Sequence, residues 1–376
     1  PRDARKPTSQ QAGGVRREQG VDVTRSATAE APPEPPVTGR ARVAARRRRR
    51  LLGIAILAGL LLVSCLLSVA IGSKVIPFGE VWSGMFAPSG SENDLIIREL
   101  RIPRTIVGAL VGAALGLAGA LMQGYTRNPI ADPGILGINQ GAALAVVLAV
   151  YLFGIGGIYG TVWFGFAGAL LGALAVFAIG SVGRGGATPV TLALAGAAIS
   201  YLLQSITSAV VLLDQQSLET YRFWKIGSIT VTDGALVTQV LPFLIVGLVL
   251  GLANASGLNA LSLGEDVARS LGHRVQWSRR LGVTAIAVLV GASVALCGPI
   301  AFVGLVVPHV ARYFAGADYR WVLPFSLFIG SSLVLLADVA GRVVARPSEI
   351  QVGVMLALIG APFFIALVRR RKLVRL

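Results

Sequence analysis

The residues of this 376-residue sequence best equipped for recognition are arginines at the borders of long apolar runs. Arg101 and Arg104 stand three apart in an Arg-Ile-Pro-Arg tetrad just before one such run, and Arg342 lies between two later ones. A guanidinium presents a planar fork of donors that grips a carboxylate through two bonds at once. Forks of this kind beside a pore mouth suit an acidic docking partner, and snorkelling to lipid phosphate fits the same residues equally well. A second group of residues sits in LNALSLGEDVARSLGH, residues 258–273, which is helical in pattern yet too polar and too short to span a bilayer. Ser262 and Glu265 have capping-box spacing, Leu263, Val267 and Leu271 recur every four residues, and Gly272 makes a stop. The reading is one short amphipathic helix lying on or outside the membrane. Such a helix can lie flat on lipid, but Glu265 and Asp266 would be repelled by anionic headgroups, so a groove on another protein suits it better.

The loop RNPIADPG, residues 127–134, is the third segment of interest. Pro129 and Pro133 restrict the backbone and bias Asn128 and Asp132 away from helix, giving a stiff turn between two apolar runs. Spacing alone makes it a connector. What the sequence lacks narrows the chemistry further. Only His309 and Asp338 are ionisable residues at or inside apolar runs, whereas proton- or sodium-driven carriers place such groups at mid-membrane. No GxxxxGK[ST] phosphate loop and no HExxH pair occur. Cys65 and Cys297 both fall in apolar runs, which provides neither a disulfide framework nor a thiolate cluster.

These segments hang on an unusually apolar frame. With 54% hydrophobic residues, 14% charged and a mean hydropathy of +0.73, the chain departs from soluble domains, in which roughly a quarter of residues are charged. A bilayer core of about 30 Å needs about 20 apolar residues per helix. Ten runs approach that length: 51–72, 105–126, 136–158, 160–182, 189–213, 235–254, 281–298, 300–311, 321–337 and 350–368. The eighth is short and follows its neighbour almost without a loop, so it reads either as a full span or as half of a re-entrant hairpin. The expectation is an all-α polytopic membrane protein of about ten transmembrane helices over residues 51–368. Gly108, Gly112 and Gly116 line one face of the second run, read as tight packing within the chain.

The net charge of +16 is concentrated at the ends. Thirteen basic residues precede residue 51, including the run Arg46 to Arg50, and five close the chain from Arg369 onward. No aromatic-rich basic module accompanies them, which argues against nucleic acid as a partner. Residues 1–50 read as a disordered basic arm and 369–376 as a basic tail, both cytoplasmic by the bias of Lys and Arg against translocation. The chain opens on Pro1, as a truncated or processed chain would. With both ends inside, the loops carry equal numbers of basic residues on the two sides, so the external arginines need a reason beyond topology.

Taken together, RIPRTIVGALVGAALGLAGALMQGYTRNPIADPGILGINQGAAL, LSLGEDVARSLG, GPIAFVGLVVPHVAR, LLADVAGR and IGAPFF resemble the membrane permeases of the iron-chelate and vitamin B12 class of ABC importers, the FecCD/BtuC type. The likeness runs from about Arg98 to Val368 and leaves the basic arm outside. It implies the type II ABC importer permease fold and a ten-helix subunit paired with an identical or related second subunit. It also implies two cytoplasmic ATPase subunits, which bind ATP and Mg, and an extracytoplasmic binding protein that delivers the cargo. The permease itself would bind no cofactor or metal and carry out no covalent step, so it would not be an enzyme.

By this resemblance Arg101, Arg104 and Arg342 pair with acids on the binding protein, and Gly264, Glu265, Asp266, Arg269, Ser270, Leu271 and Gly272 form the coupling helix. Asn128 and Ile130 belong to the cytoplasmic gate, with Thr188 and Pro189 in the next inner loop, where Pro189 departs from the family's hydroxyl-rich pattern. Pro308, His309 and Asp338 read as structural. The expected function is ATP-driven import of a ferric siderophore across the plasma or inner membrane, with haem and cobalamin as alternative cargoes. An ion-coupled secondary carrier is the rival of a different class, followed by a membrane-embedded enzyme.

Overall fold

The computed structural model describes residues 39–182, 188–230 and 234–369. The chain divides into a short unit, Pro1–Ala45, and a large one, Arg46–Leu376. Of the first, only the helical residues 39–45 are described, and the account below concerns the second. Every regular element among the described residues is helical. In chain order these are α1 (Gly39–Ala70), α2 (Phe78–Phe86), α3 (Glu92–Leu95), α4 (Ile102–Thr126), α5 (Ile138–Phe153), α6 (Ile158–Gly180), α7 (Pro189–Leu213) and α8 (Gln215–Ile226). They continue with α9 (Gly234–Ala253), α10 (Ala255–Ser262), α11 (Glu265–Ser270), α12 (Val275–Cys297), α13 (Val303–Ala315), α14 (Tyr319–Val344) and α15 (Val352–Arg369). A π-helical turn, Ile96–Arg101, leads into α4, and a 3-10 turn, Pro133–Leu136, precedes α5.

Helices α1, α4, α6, α7, α9, α12 and α14 contain stretches long and apolar enough to cross a membrane, while α5, α13 and α15 are shorter apolar helices. Each coincides with one of the ten apolar runs. The eighth run becomes α13, whose 13 residues at about 1.5 Å each make roughly 20 Å, short of a bilayer core. The helix alone is too short to cross, and it is preceded by non-helical residues that include Phe302 in the left-handed region at φ 68°. The start of the first span differs from expectation. The run Arg46–Arg50, read as the end of a disordered arm, lies inside α1, because Arg and Ala are strong helix formers and nothing in residues 39–50 stops the helix. The rest of the arm and the tail beyond Arg369 lie outside the described residues.

The bundle is organised on α4, which runs through its middle. A Cβ at Gly112 would strike the backbone of Gly330 and Ser331 on α14, and one at Gly116 would strike the carbonyl of Ser326. A Cβ at Gly119 would strike the backbone of Gly304 on α13. The periodic glycines therefore serve contact within the chain, where apolar lipid offers no hydrophobic drive and helices associate through close backbone packing. By contrast, only 17% of the most apolar stretch of α1 and of α7 is buried, so these two helices present most of their surface outward.

Replacing Gly112 with Val forces α4 and α14 apart at the tightest kind of contact in the bundle. The expected cost is about 1–3 kcal/mol, typical of overpacking, read as a lower unfolding temperature of the purified protein in detergent. A matched change at Gly59 on α1, where a Cβ meets nothing within 4 Å, leaves that temperature unchanged.

Candidate functional site

One end of the bundle is held by a cluster of arginines. The last turn of α1 leaves carbonyl groups without helical partners, at the negative end of its dipole. Arg101 Nη1 donates to the carbonyls of Val69 (2.9 Å) and Ala70 (2.8 Å), and its Nη2 donates to that of Lys74 (2.6 Å). Arg342 Nη1 donates to the carbonyls of Ser68 (2.9 Å) and Ile71 (2.8 Å), and Arg346 Nη2 to that of Gly72 (3.0 Å). Asp338, with no exposed surface, gathers the remaining charge. Its carboxylate accepts from Arg104 at 2.7 Å and pairs with Arg342 at 2.9 Å, while Arg104 reaches Glu349 at 2.7 Å with its other nitrogen. The Glu349 carboxyl would be raised by burial alone, but the hydrogen bond and charge of Arg104 hold it below the usual carboxylate range.

Arg101, Arg104 and Arg342, read from the sequence as suited to an acidic docking partner, have acceptors within the chain. All three are buried, Arg342 at only 2% exposure, and they are occupied by internal acceptors. The three arginines still line a small pocket of about 170 Å³, together with Lys74, Thr230 and Glu349. The spacing of Asp338 and Arg342, four apart on one helix, was a legible sign of pairing. Glu349, in the loop before α15, carried no such sign.

The gate candidates lie at the opposite end. Arg127 ends α4 in the left-handed region at φ 48°, and its Nη2 donates to the carbonyl of Leu261 on α10 at 2.7 Å. Asn128 Oδ1 accepts from the backbone N–H of Ile130 at 3.1 Å, and Asp132 Oδ1 accepts from that of Gly134 at 2.8 Å, so two side-chain turns stiffen the loop. Asn128 and Ile130 are exposed. Burial pushes the Asp132 carboxyl upward. Thr188 is the N-cap of α7, closing a reciprocal pair of bonds with Thr191, and Pro189 occupies the first helical turn, where its missing N–H costs nothing. The departure of Pro189 from a hydroxyl-rich loop thus has a local structural cause. The 3-10 turn after Asn128 and Ile130 packs against α7, which brings the two candidate gate segments to neighbouring elements.

The polar segment 258–273 is two helices, not one. Ser262 ends α10 and donates its hydroxyl to the carbonyl of Asn259 at 2.7 Å, so the expected capping box does not form. Gly264, at φ +113°, breaks the chain between α10 and α11. The C-terminal stop does form. Gly272 N–H donates to Arg269 O at 2.9 Å and His273 N–H to Ala268 O at 3.0 Å, with Gly272 left-handed. Helix α11 seats Ala268 against Ala260, Leu261 and Val275 and is pinned by an ion pair of Glu265 with Arg279. Leu263, Val267 and Leu271 remain 63%, 45% and 61% exposed, and the Asp266 side chain is exposed too.

Sequence reasoning missed the polar ties between these layers. Arg312 on α13 donates to Gln123 Oε1 on α4, and Gln123 Nε2 reaches the carbonyls of Gly304 and Leu305 at 3.2 Å. Tyr125 donates its hydroxyl to the carbonyl of Ser278 at 2.8 Å, and Ser278 donates to Asn254 Oδ1 at 2.7 Å. The partners lie more than twenty residues apart, beyond the reach of spacing rules. His309 has its ring edge-on to Phe363, and its Nδ1 has no hydrogen-bond partner among the described residues. Among those residues no group of three or more His, Cys, Asp or Glu could hold a metal ion.

Such a molecule is a multi-pass helical membrane protein, clamped at one face and presenting a projecting, half-apolar helix at the other. The chain belongs to the FecCD transport family, a family of ABC importer permease subunits, whose model matches residues 60–370. It is 45% identical over 313 residues to the ferric enterobactin transport system permease protein FepD of Escherichia coli, covering 83% of this chain and 93% of that protein. It is 41% identical over 324 residues to the iron(3+)-hydroxamate import system permease protein FhuB of Bacillus subtilis, covering 85% and 84%. Identity to the cobalamin import system permease protein BtuC of Halobacterium salinarum is 39% over 279 residues, covering 74% of each. A solved inward-facing structure of a metal-chelate type ABC transporter superposes with a TM-score of 0.73 at 28% identity, covering 84% of this chain and 98% of that one.

Arg104→Met leaves the buried Asp338 with Arg342 alone and is expected to cost about 3 kcal/mol or more. Glu349→Gln costs less and changes the pH profile. Because Glu349's folded value lies below its unfolded one, its contribution is present above the ordinary carboxylate range and is lost as pH falls through the folded value. Thermal unfolding in detergent from neutral to acid pH should show the E349Q variant losing less stability across that window than the unaltered protein.

Proposed function

We propose that this chain is the membrane permease of an ATP-driven importer for a ferric siderophore. The observation that carries the reading is membership of the FecCD family over nearly the whole membrane part, joined to relatives named for ferric enterobactin and iron(3+)-hydroxamate transport. The cobalamin permease at 39% identity keeps a corrinoid as the second cargo. In the proposed assembly two permease subunits, identical or related, stand on two cytoplasmic ATPase subunits, with both termini of this chain on that side. ATP and Mg act on the ATPases, and this chain makes and breaks no covalent bond.

The exposed edge of α11, with Leu263, Val267 and Leu271 beside Asp266, supplies the surface that a groove on the ATPase would take. Gly264 and Gly272 set its two ends, while Glu265, Arg269 and Ser270 hold its shape. Asn128 and Ile130, with Thr188 and Pro189 at the start of α7, form the inner gate. At the other face a binding protein docks. Since Arg101, Arg104 and Arg342 are buried, an acidic side chain of that partner meets them by entering the pocket they line and competing with Glu349 for Arg104.

Reconstituted alone in vesicles, the permease should accumulate no ferric siderophore. Uptake should require ATP, the ATPase and the binding protein together. Accumulation by the lone chain under an ion gradient would favour a secondary carrier instead. Leu271→Asp, placed on the exposed edge of α11, should lower ATP-dependent uptake at least tenfold while leaving folding intact. A hydrophobic residue at a buried groove contact is worth about 1.5–3 kcal/mol. Unchanged uptake in that variant would count against α11 as the ATPase contact.

A further inference from the structure

Two apolar grooves open on the sides of the bundle, and each ends in an arginine. The larger, about 430 Å³, lies between α6 and α12. On α6 the wall is Leu170, Ala173, Leu174 and Phe177, a stripe at helical spacing. On α12 the facing stripe begins with Arg280 and continues through Val283, Thr284 and Ala287. From Arg280 to Val288 the groove runs along the helix axis for roughly 12 Å at 1.5 Å per residue. Its floor is set by the buried Ala173 and Ala287, while Leu174 and Thr284 are exposed on its rim. A second groove of about 320 Å³ lies where α1 meets Phe314 and Phe325, with Arg49 in its lining.

The two arginines share an end of the bundle. Arg280 lies in the first turns of α12, just after α11, and the neighbour of Arg49, Arg50, reaches Asp318 at 3.6 Å beside Asn259 of α10. Neither Arg49 nor Arg280 forms an ion pair with a described residue. An unpaired cation at the end of an apolar slot on a spanning surface matches a molecule with an anionic head and an alkyl tail lying along the helices. We propose that each groove holds one acyl chain of an anionic phospholipid from the leaflet on the α11 side, its phosphate held by Arg280 or Arg49. The narrow section and helical-axis direction suit a chain, and charge complementarity selects the head.

The test is native mass spectrometry of the full-length protein in detergent, offered equimolar phosphatidylglycerol and phosphatidylcholine. Phosphatidylglycerol should be retained about fivefold over phosphatidylcholine, the discrimination one interfacial arginine supplies. Two such lipids should be held per chain. Arg280→Gln, which removes the head contact, and Thr284→Phe, which fills the slot from an exposed position, should each reduce retention to one. A monodisperse elution profile and an unchanged unfolding temperature establish that both variants are folded. Loss with R280Q but not with T284F would mean surface charge alone and would overturn the groove. Equal retention of the two lipids would reduce them to an unselective annulus and overturn the headgroup assignment. Cross-linking of T284C between copies in a Cys65→Ser background would place a second protein there instead and overturn the lipid.

Discussion

Backbone contact between α4 and α14 is the constraint on which the rest depends. In a bilayer the tails are as apolar as the helices, so association must come from proximity and from internal satisfaction of every polar group. Gly112 and Gly330 remove the side chains that would hold the two helices apart. Once they touch, Arg104 and Asp338 come within a hydrogen bond near one membrane face, and Ser331 donates to the carbonyl of Ala109 at 2.7 Å in between. Nearer the other face, Gly119 admits Gly304, which places Gln123 against the carbonyls of α13 and beside Arg312. A bulkier face on α4 would leave Asp338 with Arg342 alone and part Arg312 from Gln123, in a medium that does not tolerate poorly compensated charge.

The charged cluster also explains why α1, with so little of its surface buried, stays in place. Its C-terminal carbonyls are taken by Arg101 and Arg342, and that of Gly72 just beyond by Arg346, three donors from the turn before α4 and from the last turn of α14 and the residues after it. These are charge-assisted bonds, stronger than neutral ones, made where the helix dipole is negative. The helix is therefore held by its end more than by its flank. Its lipid-facing residues are correspondingly free to be Leu, Ile and Val in no fixed pattern.

Much of this was legible in the sequence, for identifiable reasons. Apolar run length located the ten helices because hydrocarbon thickness fixes how many residues must be apolar. The four-residue glycine spacing marked a packing face, and Gly272 marked a helix end, since both are properties of local geometry. The arginines could not be understood locally, because their acceptors, Val69, Lys74, Asp338 and Glu349, come from three separate segments. Ser262 misled for a related reason. A serine three residues before a glutamate fits a helix start, but Leu258 and Leu261, buried in the core and in the small cluster beneath α11, hold the preceding residues as a helix of their own.

The break between α10 and α11 matters for how motion could pass through the molecule. Helix α11 is set off from α10 by Leu263 and Gly264, while α10 is tied to the end of α4 through the bond from Arg127 to the carbonyl of Leu261. Asn128 and Ile130 follow Arg127 directly, in a loop stiffened by two side-chain turns and two prolines. A pull on α11 that reaches α10 is thus delivered to a short rigid segment, with little slack in which to be absorbed. A flexible loop at the same place would let α10 shift while Ile130 stayed where it was. Rigidity of the RNPIADPG turn, not any reactive group within it, is what would make displacement at α11 a displacement at the proposed gate.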